Sequence, residues 1–223
     1  MSSGTKVFTF DAADAAEEAF ERCGRELRVG YDMETSLRSM NLMLSAWANK
    51  GINLWTVKQR LLPMETSTPE YILDEDIVDI ITGVITRSGS DLTTGRISRK
   101  EFITIPVKTT LGRPSQWYLD RQVIPILKLY PTPENSTDVF KYDALTRIED
   151  VGDARDQIAV PFRFYDAFIA DLAARISYKK APDRTVVLEQ KSTTSFDEAA
   201  AEDKDRAAFQ VTADTAIYYR VFR

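Results

Sequence analysis

The first apolar stripe of the chain repeats at helical spacing. It consists of Ala16, Ala19, Phe20, Cys23 and Leu27. Asp11 stands before this stripe, where a short carboxylate accepts hydrogen bonds from free backbone N–H groups. We therefore predict a helix that begins at Asp11, and we predict that Cys23 is a small buried thiol on its apolar face.

A second helix is predicted from about Met33 to Asn49. Its apolar seam is Leu37, Met40, Leu44 and Trp47, at spacings of three, four and three. That spacing is typical of a helix that packs against another helix. The sequence therefore predicts a helical layer near the start of the chain.

The end of this second helix combines a glycine with two tryptophans. We predict that Gly51 is the C′ residue of a Schellman ending, which would bring Trp47 against Ile52. Trp55 lies beyond this stop, where the chain turns towards strands. We predict that Trp55 marks the junction of helices and strands, either as a core residue or as a contact for a partner.

From about Leu61 the pattern changes to short β-rich runs separated by prolines. IVDIITGVITR (77–87) is apolar on both faces, which predicts a strand that is covered on both sides. QWYLDR (116–121) and PILKLYP (125–131) predict a hairpin, and DVFKYDALTRI (138–148) is predicted to pair next to it.

A short helix interrupts these strands at SRKEFITI (98–105). Ser98 followed by Glu101 three residues later predicts a capping box. The stretch 61–154 is therefore predicted to be a small, mainly β domain with an antiparallel sheet.

Helical spacing returns after Pro161, which suits the first position of a helix. The apolar positions are Tyr165, Phe168, Ile169, Leu172 and Ile176, and Lys179 and Lys180 suit the negative end of the helix dipole. Pro182 is predicted to end this helix, and Asp183 is predicted to cap a last helix that runs to about Ala208.

These elements predict an α+β fold. Residues 1–60 and 155–208 are predicted to form one helical bundle, with the β-rich domain 61–154 inserted between its halves. Residues 209–223 are predicted to form an extended C-terminal arm.

The arm, FQVTADTAIYYRVFR, is aromatic and mildly basic. It is either a strand of the chain's own sheet or an arm that docks on another subunit or partner. In the second case the binding residues are Phe209, Tyr218, Tyr219, Arg220, Phe222 and Arg223.

The amino-acid composition excludes several kinds of catalytic and metal site. The 223 residues include no histidine and one cysteine, and the net charge is −5. Serine–histidine and cysteine–histidine pairs and HExxH zinc sites are excluded, as is an intramolecular disulfide. An acidic chain is unsuited to holding nucleic acid through its phosphates. No apolar run is long enough to span a bilayer and none resembles a secretion signal, so we expect a cytoplasmic protein that binds no membrane.

Three segments contain residue types that are found in metal-binding or phosphate-binding sites. DEDIVD (74–79) and EDVGDARD (149–156) are acidic, but neither has the spacing of a calcium loop. RSGSDLTTGR (87–96) lacks the ending of a phosphate-binding loop and predicts a hairpin tip. The sequence predicts no catalytic residue, no metal and no cofactor.

Four stretches, in this order, resemble one protein family. They are LMLSAWANKGINLW (42–55), ISRKEFITIPVKTTLGRPSQWYLDR (97–121), RIEDVGDARDQIAVPFRF (147–164) and YKKAPDR (178–184). Together they resemble the head-to-tail adaptors of short-tailed bacteriophages, over roughly residues 8–190. The matching motifs are Asn53-Leu54-Trp55, Gly112-Arg113-Pro114 with Trp117 in the strand that follows, and Val160-Pro161-Phe162-Arg163.

The resemblance implies a structural virion protein without catalytic activity. It implies a closed ring, a dodecamer of about twelve copies, between the portal protein and the tail nozzle protein of the virion neck. The ring would line the DNA exit channel and complete the head after packaging. A tail fibre or spike is a further possible neighbour, double-stranded DNA would pass without specific binding, and assembly would take place in the host cytoplasm. The C-terminal extension would dock along the portal.

Two other functions remain open from the residues themselves. One is a carboxylate-dependent enzyme that uses the two acidic segments. The other is a DNA-binding accessory factor that uses Arg87, Arg96, Arg99, Lys100 and Lys108.

Overall fold

The computed structural model describes residues 8, 10–28, 30–50 and 54–203. Two long helices come first in this part of the chain, then mainly antiparallel strands with one short helix among them, then two more long helices, so the fold is α+β. Its α-helices are α1 (Ala12–Arg22), α2 (Tyr31–Ala48), α3 (Arg99–Thr104), α4 (Tyr165–Lys180) and α5 (Thr185–Glu202).

The first two predicted helices are present, and their ends follow local chemistry. Asp11 caps α1, because its carboxylate accepts a 2.8 Å hydrogen bond from the backbone N–H of Asp14. Cys23 is buried at the end of α1 and its thiol donates to the carbonyl of Ala173. Burial raises the pKa of the Cys23 thiol, and the nearby Arg184 lowers it by less.

The predicted ending of α2 is one residue too late. The C-cap is Asn49, and the N–H groups of Asn49 and Lys50 bond the carbonyls of Ala46 and Trp47. This tight last turn satisfies two of the carbonyls at the helix end, and it makes Lys50 the residue that follows the C-cap. Gly51 and Ile52 lie outside the described residues, so a contact between Trp47 and Ile52 stays a prediction.

The four long helices share one hydrophobic core. Helix α4 contacts α1, α2 and α5, and it is buried on nearly every face. The loop after the last strand joins this core through Ile148, Val151, Ile158 and Val160. Because α4 is surrounded, its alanines at 167, 170, 173 and 174 permit close helix approach.

The segments before α4 and α5 correct two predictions. Pro161 is not the first residue of α4, since a 3₁₀ turn (Phe162–Phe164) intervenes and α4 begins at Tyr165. Asp183 does not cap α5, because it lies inside a second 3₁₀ turn (Pro182–Arg184) and the N-cap position is Arg184. Helix α5 ends at Glu202 rather than near Ala208, which lies outside the described residues.

Two four-stranded sheets and one two-stranded sheet form the β layer. The strands are β1 (Val57–Pro63), β2 (Glu70–Ile72), β3 (Ile77–Arg87), β4 (Ser90–Thr93), β5 (Gly95–Arg96), β6 (Leu111–Gly112), β7 (Gln116–Asp120), β8 (Ile126–Tyr130), β9 (Thr132–Pro133) and β10 (Val139–Thr146). The sheet orders are β1-β10-β3-β4, β2-β8-β7-β5 and β6-β9.

The pairing of these strands confirms some predictions and corrects others. Strands β7 and β8 form the predicted antiparallel hairpin, but β10 does not pair next to it and instead lies between β1 and β3. Two of the smaller pairings, β5 with β7 and β6 with β9, are parallel. The predicted single sheet is therefore wrong in topology.

Strand β3 is not covered on both faces as predicted. Ile81 is 44% exposed, and Val78 and Val84 are only partly buried. The opposite face, with Ile77, Ile80 and Ile85, joins a second core shared by the two larger sheets. The apolar outer face of β3 is therefore available surface and not core.

Candidate functional site

Trp47, the tryptophan predicted to pack at the end of its own helix, lies in an aromatic cluster between three helices. Its ring is fully buried against Phe164, Phe168 and Phe196, with ring centroids 5.8, 6.0 and 5.0 Å away. The indole Nε1 donates a 2.8 Å hydrogen bond to Oδ2 of Asp171 on α4. Trp47 therefore fixes α2 against α4 and α5.

Trp55 extends this cluster towards the sheets. It lies in the 3₁₀ turn Leu54–Thr56 that leads directly into β1, and its ring centroid is 4.6 Å from that of Phe164. One residue later, the carbonyl of Thr56 accepts a 2.8 Å hydrogen bond from the hydroxyl of Thr146 at the end of β10. The helical core and strands β1 and β10 of the first sheet are thus linked at this point.

A polar contact that sequence reasoning missed strengthens the same junction. The side-chain amide of Asn41 donates to the carbonyl of Val151 at 2.9 Å and accepts from the N–H of Val151 at 2.8 Å. This pair anchors the segment after β10 on α2. No local pattern signals it, because the two residues are 110 positions apart.

The motif Gly112-Arg113-Pro114 and Trp117 lie in the β layer. Gly112 pairs with Pro133, and a Cβ at its position would lie 3.4 Å from the ring of Pro131. Pro114 and Trp117 are both buried. The guanidinium carbon of Arg96 lies 5.4 Å from the ring centroid of Trp117. These residues support the sheets from within and offer no exposed binding group.

Phe162, by contrast, is 73% exposed. Its ring packs edge-on against Tyr165, with centroids 5.9 Å apart. The partly buried Pro161 lies beside it. Within the motif Val160-Pro161-Phe162-Arg163, Phe162 is therefore the apolar side chain with the largest exposed fraction.

Arginine side chains from other parts of the chain form ion pairs with the carboxylates of the acidic segment 74–79. Arg60 contacts Asp76 at 2.9 Å and Asp74 at 3.6 Å. Asp79 is shared by Arg96 and Arg121. Carboxylates neutralised in this way are poor ligands for a cation.

The acidic segment 149–156 serves a turn. A carboxylate oxygen of Asp156 accepts the backbone N–H groups of Gly152 and Asp153 at 2.9 and 2.8 Å. Glu149 contacts Lys58 at 3.9 Å. Within residues 10–28, 30–50 and 54–203, no group of three acidic or cysteine side chains is arranged to hold a metal ion.

The basic residues considered for DNA binding are largely used within the protein. Arg87 binds Asp138 and Glu134, whose hydrogen bonds raise the pKa of the guanidinium further. Lys108 donates to the carbonyls of Ile103 and Ile105. These contacts weaken the DNA-binding interpretation, because few of the five cations remain available for phosphates.

A cleft of about 660 Å³ lies between the end of α2 and the sheets. Lys58, Arg121 and Arg147 line it together with Glu75, Asp76, Glu149 and Asp150. This mixture of opposite charges at a junction provides neither a nucleophile with a base nor a uniform field for one ligand.

Exposed apolar side chains are common on both layers. On the long helices and the turns beside them they include Tyr31, Leu42, Phe162, Tyr178, Val186 and Val187, and in the β layer Leu61, Ile72, Leu111 and Val123, with Ile103 on the short helix α3. Single exposed apolar side chains are common on folded proteins, and those on both layers are available for contacts with neighbours.

No described helix is long and apolar enough to cross a membrane. No protein-family model and no curated protein matches the chain. The predicted binding residues Phe209, Tyr218, Tyr219, Arg220, Phe222 and Arg223 lie outside the described residues, as does Asn53.

Proposed function

We propose that this protein is a structural adaptor of the neck of a short-tailed bacteriophage. In this proposal, copies of the chain form a ring, a dodecamer, between the portal protein and the tail nozzle. The observation that carries the proposal is the order of the motifs at 42–55, 97–121, 147–164 and 178–184. The proposal includes the finer architecture, a four-helix bundle with an inserted β domain and a C-terminal arm along the portal.

The position of those motifs in the fold supports this function. The first contains Trp47 and Trp55 at the aromatic junction, and the third contains Phe164, which contacts both. These two motifs therefore meet where the helical core is linked to the sheets. A ring subunit must keep the angle between its layers constant, because each heterologous interface repeats until the ring closes.

The surface also supports it. A ring subunit needs two different complementary flanks and contacts above and below, which suits exposed apolar residues on both layers. A net charge of −5 and internally paired arginines leave few phosphate contacts. DNA passing through such a ring would release few counterions and would bind weakly.

The decisive experiment is electron microscopy of the purified chain mixed with the portal protein. Rings at the end of the portal are the expected result. The chain alone can be monomeric, because the portal can act as the template for closure. A chain that stays monomeric and does not bind the portal would refute the proposal.

A surface variant sharpens that experiment. Val186→Asp combined with Val187→Asp places charge on two exposed positions of α5, which are 66% and 68% exposed. The matched control is Glu34→Gln, an exposed position on α2. If α5 lies in the interface between copies, the double variant should bind the portal without closing a ring, whereas the control should form rings.

A further inference from the structure

A groove of about 630 Å³ lies between α1 and the start of α4. Its apolar side consists of Phe8, Phe10, Tyr165 and Ile169, and its carboxylates are Asp14, Glu17, Glu18, Glu21 and Asp166. We refer to it as the acidic-aromatic groove. None of these residues belongs to the aromatic junction around Trp47.

The apolar side of the groove is a cluster of aromatic rings that remains partly open. The centroid of Phe8 is 5.5 Å from that of Phe10 and 6.1 Å from that of Tyr165, and Phe8 is 57% exposed. Phe162 extends the cluster through its contact with Tyr165. Exposed aromatic rings in contact with one another provide a large apolar area for a partner that carries aromatic or aliphatic side chains.

The rim of the groove is strongly negative. Arg22 pairs with Glu18 at 3.0 Å and with Asp166 at 2.9 Å. Asp14, Glu17 and Glu21 form no ion pair within the described part of the chain. A partner that fits must therefore combine apolar or aromatic groups with positive charge.

The chain leaves the described region beside this groove. Helix α5 runs back along α4, since Glu189 contacts Tyr178 near the end of α4 and Ser195 contacts Asp166 near its start. The last described residue, Asp203, pairs with Arg163, which is the neighbour of Phe162 in the sequence. The following residues therefore start next to the aromatic cluster.

Those residues have the required chemistry. FQVTADTAIYYRVFR (209–223) contains Phe209, Tyr218, Tyr219 and Phe222, with Arg220 and Arg223 against the single acidic residue Asp214. Twenty residues follow Asp203, and an extended chain of that length spans at most about 70 Å. Length, charge and starting point all permit the segment to reach the groove.

We propose that the acidic-aromatic groove binds residues 209–223 of the same chain. A tethered segment is present at an effective concentration of the order of millimolar, so even weak contacts keep it bound. The groove would hold the aromatic side chains of the segment while its arginines face the rim. This docking does not depend on the adaptor function; if that function holds, the portal must displace the segment from the groove.

The test uses the full chain with a fluorescent label on a cysteine introduced by Val221→Cys. Cys23 is buried and its thiol is bonded to Ala173, so the label should enter only at the new position. The unsubstituted chain, treated with the same label, checks this. We expect the label to show high anisotropy that falls when salt is raised, because salt screens the contact between arginines and rim.

The charge of the groove is then reversed with Glu17→Lys and Glu21→Lys. The control is Glu34→Lys, which reverses the charge of one exposed glutamate on α2, away from the groove. Circular dichroism shows whether each variant retains its helices. We expect the label to become mobile in the double variant and to stay immobile in the control.

Three results would overturn the inference. The first is a label that is mobile in the chain with intact carboxylates. The second is an immobile label that groove reversal leaves unchanged, which would place the segment elsewhere. The third is anisotropy that rises with protein concentration together with the mass measured by light scattering, since the occupant would then be the segment of another copy.

Discussion

Trp47 and Asp171 are joined by a buried hydrogen bond of 2.8 Å between Nε1 and Oδ2. Asp171 also accepts from Arg175, one turn further along α4, at 3.2 Å. The indole thus reaches from α2 into the polar edge of the helical core, while its ring fills space between Phe168 and Phe196. One side chain holds three helices through both packing and polarity.

Trp47→Phe should therefore destabilise the fold by more than the loss of ring area explains. Removing the donor leaves a buried carboxylate oxygen short of a partner, which costs about 1–3 kcal/mol. The free energy of unfolding in urea measures this. The control is Trp55→Phe, because Nε1 of Trp55 has no acceptor among the described residues. Equal losses in the two variants would show that the bond to Asp171 contributes nothing.

A side chain at position 83 would be crowded by the ring of Phe140. A Cβ at position 83 would lie 2.4 and 2.7 Å from two atoms of the Phe140 ring, which is fully buried. Gly83→Ala should cost about 1–3 kcal/mol, because the ring must leave its position in the core. Gly95→Ala is the matched control, since its nearest neighbour would be 3.9 Å away.

A second variant separates crowding from other effects of Gly83→Ala. Phe140→Leu removes the ring atoms nearest to position 83 at a cost of its own. If crowding is the cause, the double variant should be more stable than the sum of the two single losses predicts. Simple additivity in thermal or urea unfolding would contradict the explanation.

The sequence predicted features that local chemistry determines. Ser98 and Glu101 form the predicted capping box at α3, and Asp11 caps α1. The predicted hairpin tip after Arg87 is also present, with Ser88 and Gly89 both at positive φ, as a tight two-residue turn requires. Each of these signals lies within a few residues of the structure it determines.

Features that depend on distant partners could not be predicted in the same way. The alternation in β10 identifies a strand, but it does not show that its neighbours are β1 and β3 rather than β8. The register of β10 on β3 also shifts at Asp143/Ala144 and again at Leu145/Thr146. The contact of Asn41 with Val151 and the acidic-aromatic groove were missed for the same reason, because segments far apart in sequence create them.

The KSTTS stretch (191–195) consists mainly of residues with low helix propensity, yet it lies inside α5. The hydroxyls of Thr193 and Thr194 bond carbonyls four residues earlier, and Ser195 donates to Asp166 at 3.0 Å. Burial raises the pKa of Asp166, but the hydrogen bonds from Arg22 and Ser195 outweigh it and the pKa is lowered overall. Tertiary contacts therefore support a helix that propensity alone disfavours.

Asp32 and Lys180 should make stability depend on pH in the acid range. The hydrogen bond from Lys180, 2.6 Å long, lowers the pKa of the buried Asp32 carboxyl against the opposing effect of burial. Because the folded pKa lies below the unfolded value of about 3.9, the stabilisation is present above that value and is lost as pH falls through the folded pKa. Asp32→Asn should therefore flatten the dependence of the unfolding free energy on pH below about 4.

The control for this variant is Glu34→Gln on the same helix, since Glu34 is exposed and forms no ion pair within the described residues. Unfolding is followed by urea titration at a series of pH values. The Glu34→Gln chain should retain the pH dependence of the unsubstituted protein. A pH dependence that survives in Asp32→Asn would assign it to other carboxylates.

Deleting residues 209–223 should affect binding to the portal more than it affects the stability of the fold. The described residues form two hydrophobic cores, and an arm that docks outside them would add little to folding, so the free energy of unfolding should change by less than about 1 kcal/mol. Binding to the portal should weaken by about tenfold or more, equal to about 1.4 kcal/mol, because the proposed arm supplies contacts outside the body. The full chain with Arg220→Glu and Arg223→Glu should lose part of that affinity and keep its stability. If the deletion instead lowers the unfolding midpoint as the loss of a core strand would, the segment packs on the body of its own chain, in a sheet or in the acidic-aromatic groove, and is not a free arm; a groove-bound segment would also become mobile in the chain with Glu17→Lys and Glu21→Lys.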